Sequence, residues 1–218
     1  MTDRISPARW RLYVITDERV SRGRSHLQVA EAAILGGADV LQLRDKESSS
    51  GRLFQVAMQL RKLTREANVP LIVNDRLDIA LAADADGVHV GQADLPASVA
   101  RGILGPGRIL GVSAETVAEA VAAAEDGADY LGVGPVFEAR GTKPDAGLPM
   151  GLDLIAEIRR HCHLPIVAIG GINAENARKV RDAGADAVAV ISAVASADDI
   201  AQAARRLKRL LSGAEGDL

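Results

Sequence analysis

The 218-residue chain has few aromatic residues and no excess of basic charge. Aromatic side chains make up 2% of it, whereas 48% of its residues are apolar, which favours one large domain with an aliphatic core. The formal net charge of −3, from 26 basic and 29 acidic residues, excludes a global positive field for nucleic acid. Any anionic ligand must therefore be held by a few local Lys and Arg side chains.

Cysteine and long apolar runs are also scarce. The single Cys162 excludes an intramolecular disulfide and agrees with a reducing compartment. His161 and His163 flank it, but no second ligand cluster follows at zinc spacing, so we expect a structural role. No apolar run approaches the roughly 18 residues of a membrane span, and Met1–Trp10 has no signal-peptide core. We expect a soluble, cytoplasmic protein that contacts neither nucleic acid nor membrane; the sequence does not fix whether it forms a homo-oligomer.

Short β-branched apolar segments alternate with segments of helical periodicity along the chain. The predicted strands are Leu12–Thr16, Val40–Arg44, Leu71–Asn74, Gly87–Val90, Ile109–Ser113, Tyr130–Val133, Ile166–Ile169 and Ala187–Ile191. Eight parallel strand–helix units with short loops predict a single-domain (β/α)8 TIM barrel over residues 10–212, with flexible ends at 1–9 and 213–218. A doubly wound open sheet is the alternative.

A repeated phrase marks the junctions from helix to strand. It reads Gly37-Ala-Asp39, Ala85-Asp86, Gly127-Ala-Asp129 and Gly184-Ala-Asp186. The glycine ends a helix and the acid precedes a nearly continuous apolar strand, as buried parallel strands require. We interpret these aspartates as turn residues at the bottom face of the sheet.

Two carboxylates follow neighbouring strands at the opposite face. Asp75 directly follows Leu71–Asn74, and Asp94 lies just beyond Gly87–Val90. Parallel neighbours run about 4.8 Å apart, so both carboxylates reach the same rim. Two negative charges about 4 Å apart repel by roughly 4 kcal/mol at an effective dielectric near 20, which favours a cation between them. Mg²⁺ carrying a phosphate-bearing substrate fits such ligands, although either aspartate could instead cap the following helix.

Basic and polar side chains lie at other strand ends. Alternation sends Gln42 and Arg44 to one face of the second strand, and Lys46 follows at the rim. A charged Arg44 in a buried strand requires either a structural ion pair with an Asp or a bound anion. Asn74 and Ser113 could contact a ligand or cap a helix.

The later strands predict a second anion site. The loop after the sixth strand is the longest, contains glycine hinges typical of lids, and carries Lys143 as a second anion clamp. Gly170-Gly171 after the seventh strand, with Ile191 and Ser192 after the eighth, match the phosphate cradle of many barrels. No Ser/His/Asp or Cys/His pair indicates nucleophilic catalysis. For His89, inside the fourth strand, we favour a structural role.

Together these residues resemble the thiamine phosphate synthase family. The motifs that carry the resemblance span residues 12–211 and are VITD, QLRDK, VNDRLDIALAADADGVHVGQADLP, GVSAET, GPVF…TKPD, AIGGIN and VISAV. The resemblance implies a (β/α)8 barrel that joins 4-amino-2-methyl-5-hydroxymethylpyrimidine diphosphate to 4-methyl-5-(2-phosphoethyl)thiazole, giving thiamine phosphate and diphosphate. It also implies a Mg²⁺-assisted, dissociative loss of diphosphate.

The resemblance assigns roles to individual positions. It implies magnesium ligands at Asp75 and Asp94, and catalytic roles for Arg44, Lys46, Ser113 and Lys143. Contacts to the pyrimidine diphosphate are implied at Gln42, Leu43, Arg44, Asp45, Lys46, Asn74, Ser113 and Lys143. Contacts to the thiazole phosphate are implied at Arg140, Gly141, Thr142, Gly171, Ile191 and Ser192.

The chain departs from the family pattern in two places. The usual Thr-x-Thr-Lys is replaced by a longer segment, Glu138 to Lys143, that keeps only Thr142, and Glu115 stands where many members have His. Two other functions compete with the synthase. One is the thiazole tautomerase of the same barrel, which needs a proton-transfer group and no Mg²⁺; the other is a non-catalytic barrel that binds thiazole or thiamine phosphates. Retention of Asp75 and Asp94 favours the synthase over the tautomerase. A non-catalytic barrel would be expected to lose charged rim residues, and this chain retains Arg44, Lys46, Asp75, Asp94 and Lys143.

Overall fold

Eight parallel strands close into a barrel. The computed structural model describes residues 6–138 and 148–213, and each strand pairs with its sequence neighbours, with β8 returning to β1. The strands are β1 (Leu12–Thr16), β2 (Val40–Leu43), β3 (Leu71–Asn74), β4 (Gly87–Val90), β5 (Ile109–Ala114), β6 (Tyr130–Val133), β7 (Ile166–Ile169) and β8 (Ala187–Val190). The predicted (β/α)8 TIM barrel is confirmed, and the open doubly wound sheet is wrong.

Helices cover the outside of this barrel. Within the described ranges they are α1 (His26–Leu35), α2 (Ser50–Ala67), α3 (Leu77–Ala82), α4 (Ala97–Leu104), α5 (Val117–Glu125), α6 (Asp153–His161), α7 (Ala177–Asp182), α8 (Ser192–Ala195) and α9 (Ile200–Ser212). A short 3-10 helix, Pro7–Arg9, precedes β1. None of the described helices has the length and apolar character needed to cross a membrane.

Two helices, rather than one, follow β8. The short helix α8 follows β8, and α9 begins only at Ile200. The start of α9 is fixed by Asp199, whose side chain accepts a hydrogen bond from the Gln202 N–H at 2.8 Å and so satisfies one orphan donor of the first turn.

The strands bury both faces, which gives the molecule two cores. The larger core lies between the sheet and the helices. The smaller core fills the barrel interior, where Trp10, Tyr13 and Tyr130 pack together with ring centroids 5.2–6.0 Å apart. Three of the five aromatic residues of the chain therefore lie inside the barrel, where their area is most effective in filling space.

An aspartate at the bottom of the barrel ties the starts of two neighbouring strands together. Asp86, just before β4, donates its backbone N–H to the Leu71 carbonyl at 3.0 Å. Its carboxylate accepts the Leu71 N–H at 2.8 Å and a guanidinium N–H of Arg61 at 2.8 Å. The two-way connection leaves no freedom for β3 to slip against β4, and Arg61 from α2 neutralises the acid.

The same arrangement recurs at every second strand. The repeats are Asp39 with Leu12 and Lys208, Asp129 with Leu110 and Arg101, and Asp186 with Ile166 and Arg159. In each repeat the aspartate N–H also donates to the carbonyl of the paired residue, at 2.7–2.9 Å. The four aspartates recognised in the sequence are therefore more than turn residues, since each joins two strands and one helix.

Replacing one of these aspartates should destabilise the fold. We expect Asp86→Ala to lower the free energy of unfolding by about 2–3 kcal/mol. The Leu71 N–H and the Arg61 guanidinium both donate to the Asp86 carboxylate, and the substitution would leave both without that acceptor. Urea denaturation measures this. Asp198→Ala is the control, because Asp198 pairs with Arg22 on the surface and should contribute less than about 1 kcal/mol. Equal losses in the two variants would contradict the structural role of Asp86.

Candidate active site

A cavity of about 290 Å³ opens at the carboxyl ends of the strands. Its apolar side comes from β7 and β8, through Val167, Ile169, Ala189 and the neighbouring Ile191. Its polar side comes mainly from the ends of β2 to β5. Charged and amide side chains on that side are Gln42, Arg44, Lys46, Asn74, Asp75, Gln92, Asp94 and Glu115. The cavity thus combines an apolar wall with a strongly charged one.

Asp75 and Asp94 interact directly at the charged wall. The Asp75 backbone has a φ of +61°, a left-handed conformation that Asp tolerates better than most residues, and its N–H donates to the His89 carbonyl at 2.8 Å. The helix-capping alternatives are wrong. The cap residues of α3 and α4 are Arg76 and Pro96, and neither helix start has a side-chain cap.

The acid pair carries an electrostatic cost. Burial and the neighbouring charge of Asp94 raise the pKa of Asp75 to about 6, although Lys46 and Arg44 act in the opposite direction. The Lys46 ammonium lies 3.6 Å from the Asp75 carboxylate. One lysine does not neutralise the pair, so the site favours a further cation.

This donor set fits Mg²⁺ bound together with a substrate. Within residues 6–138 and 148–213, no three His, Cys, Asp or Glu side chains cluster as an all-protein metal site. Mg²⁺ characteristically takes one or two carboxylates and completes its octahedron with water and phosphate oxygens. Asp75 and Asp94 could supply those two carboxylates.

Arg44 is held by an ion pair below the rim. Its guanidinium, 2% exposed, donates to Asp17, which also accepts two hydrogen bonds from the Arg19 side chain. Burial favours the neutral acid, but these arginines bring the pKa of Asp17 below its usual value. The Arg44 Nε is buried without a partner in the described part of the chain. The two alternatives for Arg44 are therefore compatible, because it is paired with Asp17 and also lines the cavity.

Polar side chains connect two sides of the cavity through the barrel interior. Gln42 donates to the Tyr13 hydroxyl at 2.8 Å, and the Tyr13 and Tyr130 hydroxyls are 3.0 Å apart. His89 lies 3.0 Å from the Tyr130 hydroxyl through Nδ1 and 3.0 Å from the Ser113 hydroxyl through Nε2. All five residues line the cavity.

Sequence reasoning favoured a structural role for His89 and did not predict that it lines the cavity. The signal was a polar residue in a buried strand, followed by two strands that contain glycine: Gly111, which pairs with His89, and Gly132 in β6. A Cβ on Gly111 would lie 2.5 Å from the His89 ring, and one on Gly132 would lie 2.7 Å from it. The glycines make room for the imidazole, but only the strand register shows that they face it.

Several predicted contact residues do not line this cavity. Leu43 is fully buried in the core between sheet and helices. The Asp45 carboxylate accepts the backbone N–H groups of Glu47 and Ser48 at 3.0 and 2.9 Å, which shapes the loop after β2. Gly171, with a φ of +63°, leaves room for the backbone after β6, because an added Cβ would lie 2.7 Å from the Glu138 carbonyl. Ser192 is exposed at the start of α8.

The predicted contacts Arg140, Gly141, Thr142 and Lys143 lie in residues 139–147, outside the described part of the chain.

Fold and site together define a class of protein: a TIM barrel whose mouth combines a carboxylate pair, nearby cations and an apolar wall. The family described as thiamine monophosphate synthase matches residues 12–194. Two relatives called thiamine-phosphate synthase are those of Chloroflexus aurantiacus, 60% identical, and Methanocella arvoryzae, 55% identical. The first alignment covers 93% of this chain and 93% of the relative, and the second 92% and 94%.

A solved structure gives the same result. Thiamine phosphate pyrophosphorylase from Pyrococcus furiosus superposes with a TM-score of 0.87 at 40% identity, covering 95% of this chain and 98% of that one. The chain belongs to the thiamine monophosphate synthase family.

The raised pKa of Asp75 gives a prediction for the metal-free protein. We expect a carboxyl group to titrate near pH 6, and Asp94→Asn should lower that pKa because it removes the neighbouring negative charge. Mg²⁺ held by this carboxylate would require its ionised form, so any Mg²⁺ affinity of the site should be greatest above pH 6 and fall about tenfold per pH unit below it. Carboxyl ¹³C NMR titration, with and without Mg²⁺, tests both statements. An unchanged Asp75 titration in Asp94→Asn would contradict the coupling.

Proposed function

We propose that this chain joins 4-amino-2-methyl-5-hydroxymethylpyrimidine diphosphate to 4-methyl-5-(2-phosphoethyl)thiazole, producing thiamine phosphate and diphosphate. Family membership supports the proposal, and so does a cavity with a charged wall for a diphosphate and an apolar wall for ring systems. The observation that carries it is the Asp75–Asp94 pair, whose mutual repulsion favours a divalent cation beside Lys46.

We further propose Mg²⁺ as that cation. Bound at Asp75 and Asp94, it would supply the positive charge that stabilises diphosphate as the leaving group. Lys46 follows β2 and lies beside this pair, and Arg44, preorganised by Asp17, lines the cavity next to it. Preorganised cations stabilise charge that develops in the transition state without reorganising during the reaction. Lys143 is proposed to do the same from the loop after β6.

The proposed reaction is dissociative. Diphosphate leaves first, and the thiazole nitrogen captures the pyrimidine-stabilised carbocation. Gln42, Asn74 and Ser113, which line the cavity, are proposed to contact the pyrimidine diphosphate. The contacts expected at Leu43 and Asp45 stay predictions, since neither residue lines the cavity. Thiazole-phosphate contacts are proposed at Arg140, Gly141, Thr142, Gly171, Ile191 and Ser192. The bond-forming step requires no general base, so the proposal gives the His89–Ser113 contact no nucleophilic role.

The competing functions are not favoured. The relatives named above carry the synthase name, and both carboxylates that a tautomerase would not need are present. The partners we propose are the two small-molecule substrates, without nucleic acid or membrane, in the cytoplasm. A homo-oligomer stays a prediction.

Incubating the protein with both substrates and Mg²⁺ tests the proposed function directly. We expect thiamine phosphate and diphosphate in equal amounts, and none of either when EDTA is added. Full activity in EDTA would contradict the metal assignment. Turnover of the thiazole alone, without the pyrimidine diphosphate, would instead identify a tautomerase.

Removing either carboxylate should abolish the dependence on Mg²⁺ together with most activity. We expect Asp75→Asn and Asp94→Asn each to lower kcat/KM by about 100-fold or more, because the metal's charge stabilisation amounts to several kcal/mol. Steady-state rates across a Mg²⁺ titration measure this. Asp78→Asn is the matched control, since Asp78 is close in sequence but pairs with Arg76 at the surface. Near-normal rates in both site variants would count against the assignment.

A further inference from the structure

The loop between β2 and α2 is joined to the start of α1 by a single carboxylate. Asp45 uses one oxygen within the loop, where Oδ1 accepts the N–H groups of Glu47 and Ser48 at 3.0 and 2.9 Å. Its other oxygen, Oδ2, lies 3.6 Å from Nε2 of His26, the first residue of α1. Asp45 therefore shapes the loop with one oxygen and faces a helix outside the loop with the other.

His26 is a buried imidazole that the proposed reaction does not use. The residue is 2% exposed, and its Nδ1 lies 2.8 Å from the Thr16 hydroxyl. Its Nε2 has no hydrogen-bond partner among residues 6–138 and 148–213. At 3.6 Å the Asp45 oxygen is too distant for a hydrogen bond, so it acts on the ring as a neighbouring charge. One nitrogen of the imidazole is thus held, and the other faces the loop.

The contacts of the ring place a proton on Nε2. Burial lowers the pKa of His26, while three nearby carboxylates act in the opposite direction. A neutral ring keeps its one proton on Nε2 when the Thr16 hydroxyl donates to Nδ1. If Thr16 instead donates to the Gln42 carbonyl, 3.2 Å away, only a second ring proton avoids a bare nitrogen beside the carboxylate. Both arrangements present an N–H to Asp45.

The backbone of His26 is fixed as well. Its N–H, one of the unpaired donors of the first helical turn, lies 3.3 Å from Oε1 of Glu18. The other oxygen of Glu18 accepts from Arg52 of α2 at 3.1 Å. The start of α1 is therefore connected to the helices on either side of the loop through its backbone, so the imidazole is a fixed point for the loop.

The effect of this contact reaches the mouth of the barrel through Lys46. Lys46 lies inside the turn that Asp45 closes, and its ammonium is 3.6 Å from the Asp75 carboxylate. The Lys46 side chain is 45% exposed and has many accessible rotamers. The position of its backbone therefore decides how often the ammonium reaches the site. Burial opposes ionisation of Asp45, but the loop hydrogen bonds and the nearby imidazole bring its pKa below the usual value.

We propose that His26 is a positioning residue that acts through Asp45 to set Lys46 beside Asp75. The imidazole orients the second oxygen of Asp45, the first oxygen holds the turn, and the turn fixes where the Lys46 side chain begins. His26 itself does not line the cavity. This inference rests on the proposed function, which makes Lys46 a cation for the diphosphate but gives α1 no role.

Calorimetric binding of inorganic diphosphate in the presence of Mg²⁺ tests the inference with two variants. His26→Asn retains a polar atom near the position of Nδ1 but none near Asp45, whereas His26→Gln can place its amide nitrogen near the position of Nε2. We expect His26→Asn to weaken binding about tenfold, as the loss of an orienting partner typically does. His26→Gln should recover most of that loss.

A double-mutant cycle shows whether the effect passes through Lys46. Lys46→Ala should weaken diphosphate binding, and adding His26→Asn should then change it by less than about twofold, because the positioned group is gone. A loss of general stability would instead weaken both backgrounds equally. The same cycle in kcat/KM with both substrates covers affinities too weak for calorimetry.

Controls separate positioning from folding. Thr64→Val removes a fully buried hydroxyl in α2 and should lower stability toward urea while leaving diphosphate binding unchanged. Circular dichroism verifies that each variant folds. If His26→Asn does not fold, Asp45→Asn replaces it, because that change removes the charge facing His26 and keeps an oxygen for the turn.

The outcomes are distinguishable. If the wild-type protein binds diphosphate and forms thiamine phosphate while His26→Asn matches it, the positioning role is wrong and the synthase proposal stands. Additive losses in the cycle, or equal losses in His26→Asn and His26→Gln, would also overturn the role. If the wild-type protein neither binds diphosphate nor forms thiamine phosphate, the proposed function fails and this inference fails with it.

Discussion

The connection between an aspartate and the preceding strand is the constraint on which the rest of this barrel depends. In each of its four occurrences a carboxylate and a backbone N–H of the aspartate hold both polar groups of a residue on the neighbouring strand, while a basic side chain from a surrounding helix neutralises the acid. A slip of one residue would send every inward side chain outward. Fixing the bottom of the barrel therefore decides which side chains meet at its mouth.

The interior above these connections is unusual because polar groups cross it. Most (β/α)8 barrels fill this space with branched apolar side chains. Here glycines on β5 and β6 leave space for the His89 imidazole and the Tyr130 phenol. The Gln42 amide, the two tyrosine hydroxyls, His89 and the Ser113 hydroxyl form a continuous series of hydrogen-bonding contacts. The low dielectric of such a site strengthens correctly paired contacts and penalises mismatched ones. The connections at the bottom of the barrel and the polar contacts in its interior thus both depend on strand register.

The charged wall of the mouth follows a different principle. Asp94 lies close enough to Asp75 to raise the pKa of Asp75, and Arg44 is paired with Asp17 rather than exposed to solvent. Neither arrangement serves stability well, because like charges repel and a buried ion pair is costly to desolvate. Such local costs are typical of sites organised for a ligand, and the remainder of the barrel, with its well-paired bottom face, supports them.

The sequence by itself determined the fold class, the strand positions and the polar residues at the strand ends, because hydrophobic periodicity and turn residues act locally. It also identified Asp75, Asp94, Arg44 and Lys46 as an ionic group, since their strands are near neighbours in order. The short helix α8, the pairing of Arg44 with Asp17 and the placement of Leu43 and Asp45 away from the cavity were decided only by the tertiary structure. The same is true of the link from Gln42 to Ser113 through Tyr13, Tyr130 and His89. These residues come from strands far apart along the chain, and only closure of the barrel, with its register, brings them within hydrogen-bonding distance.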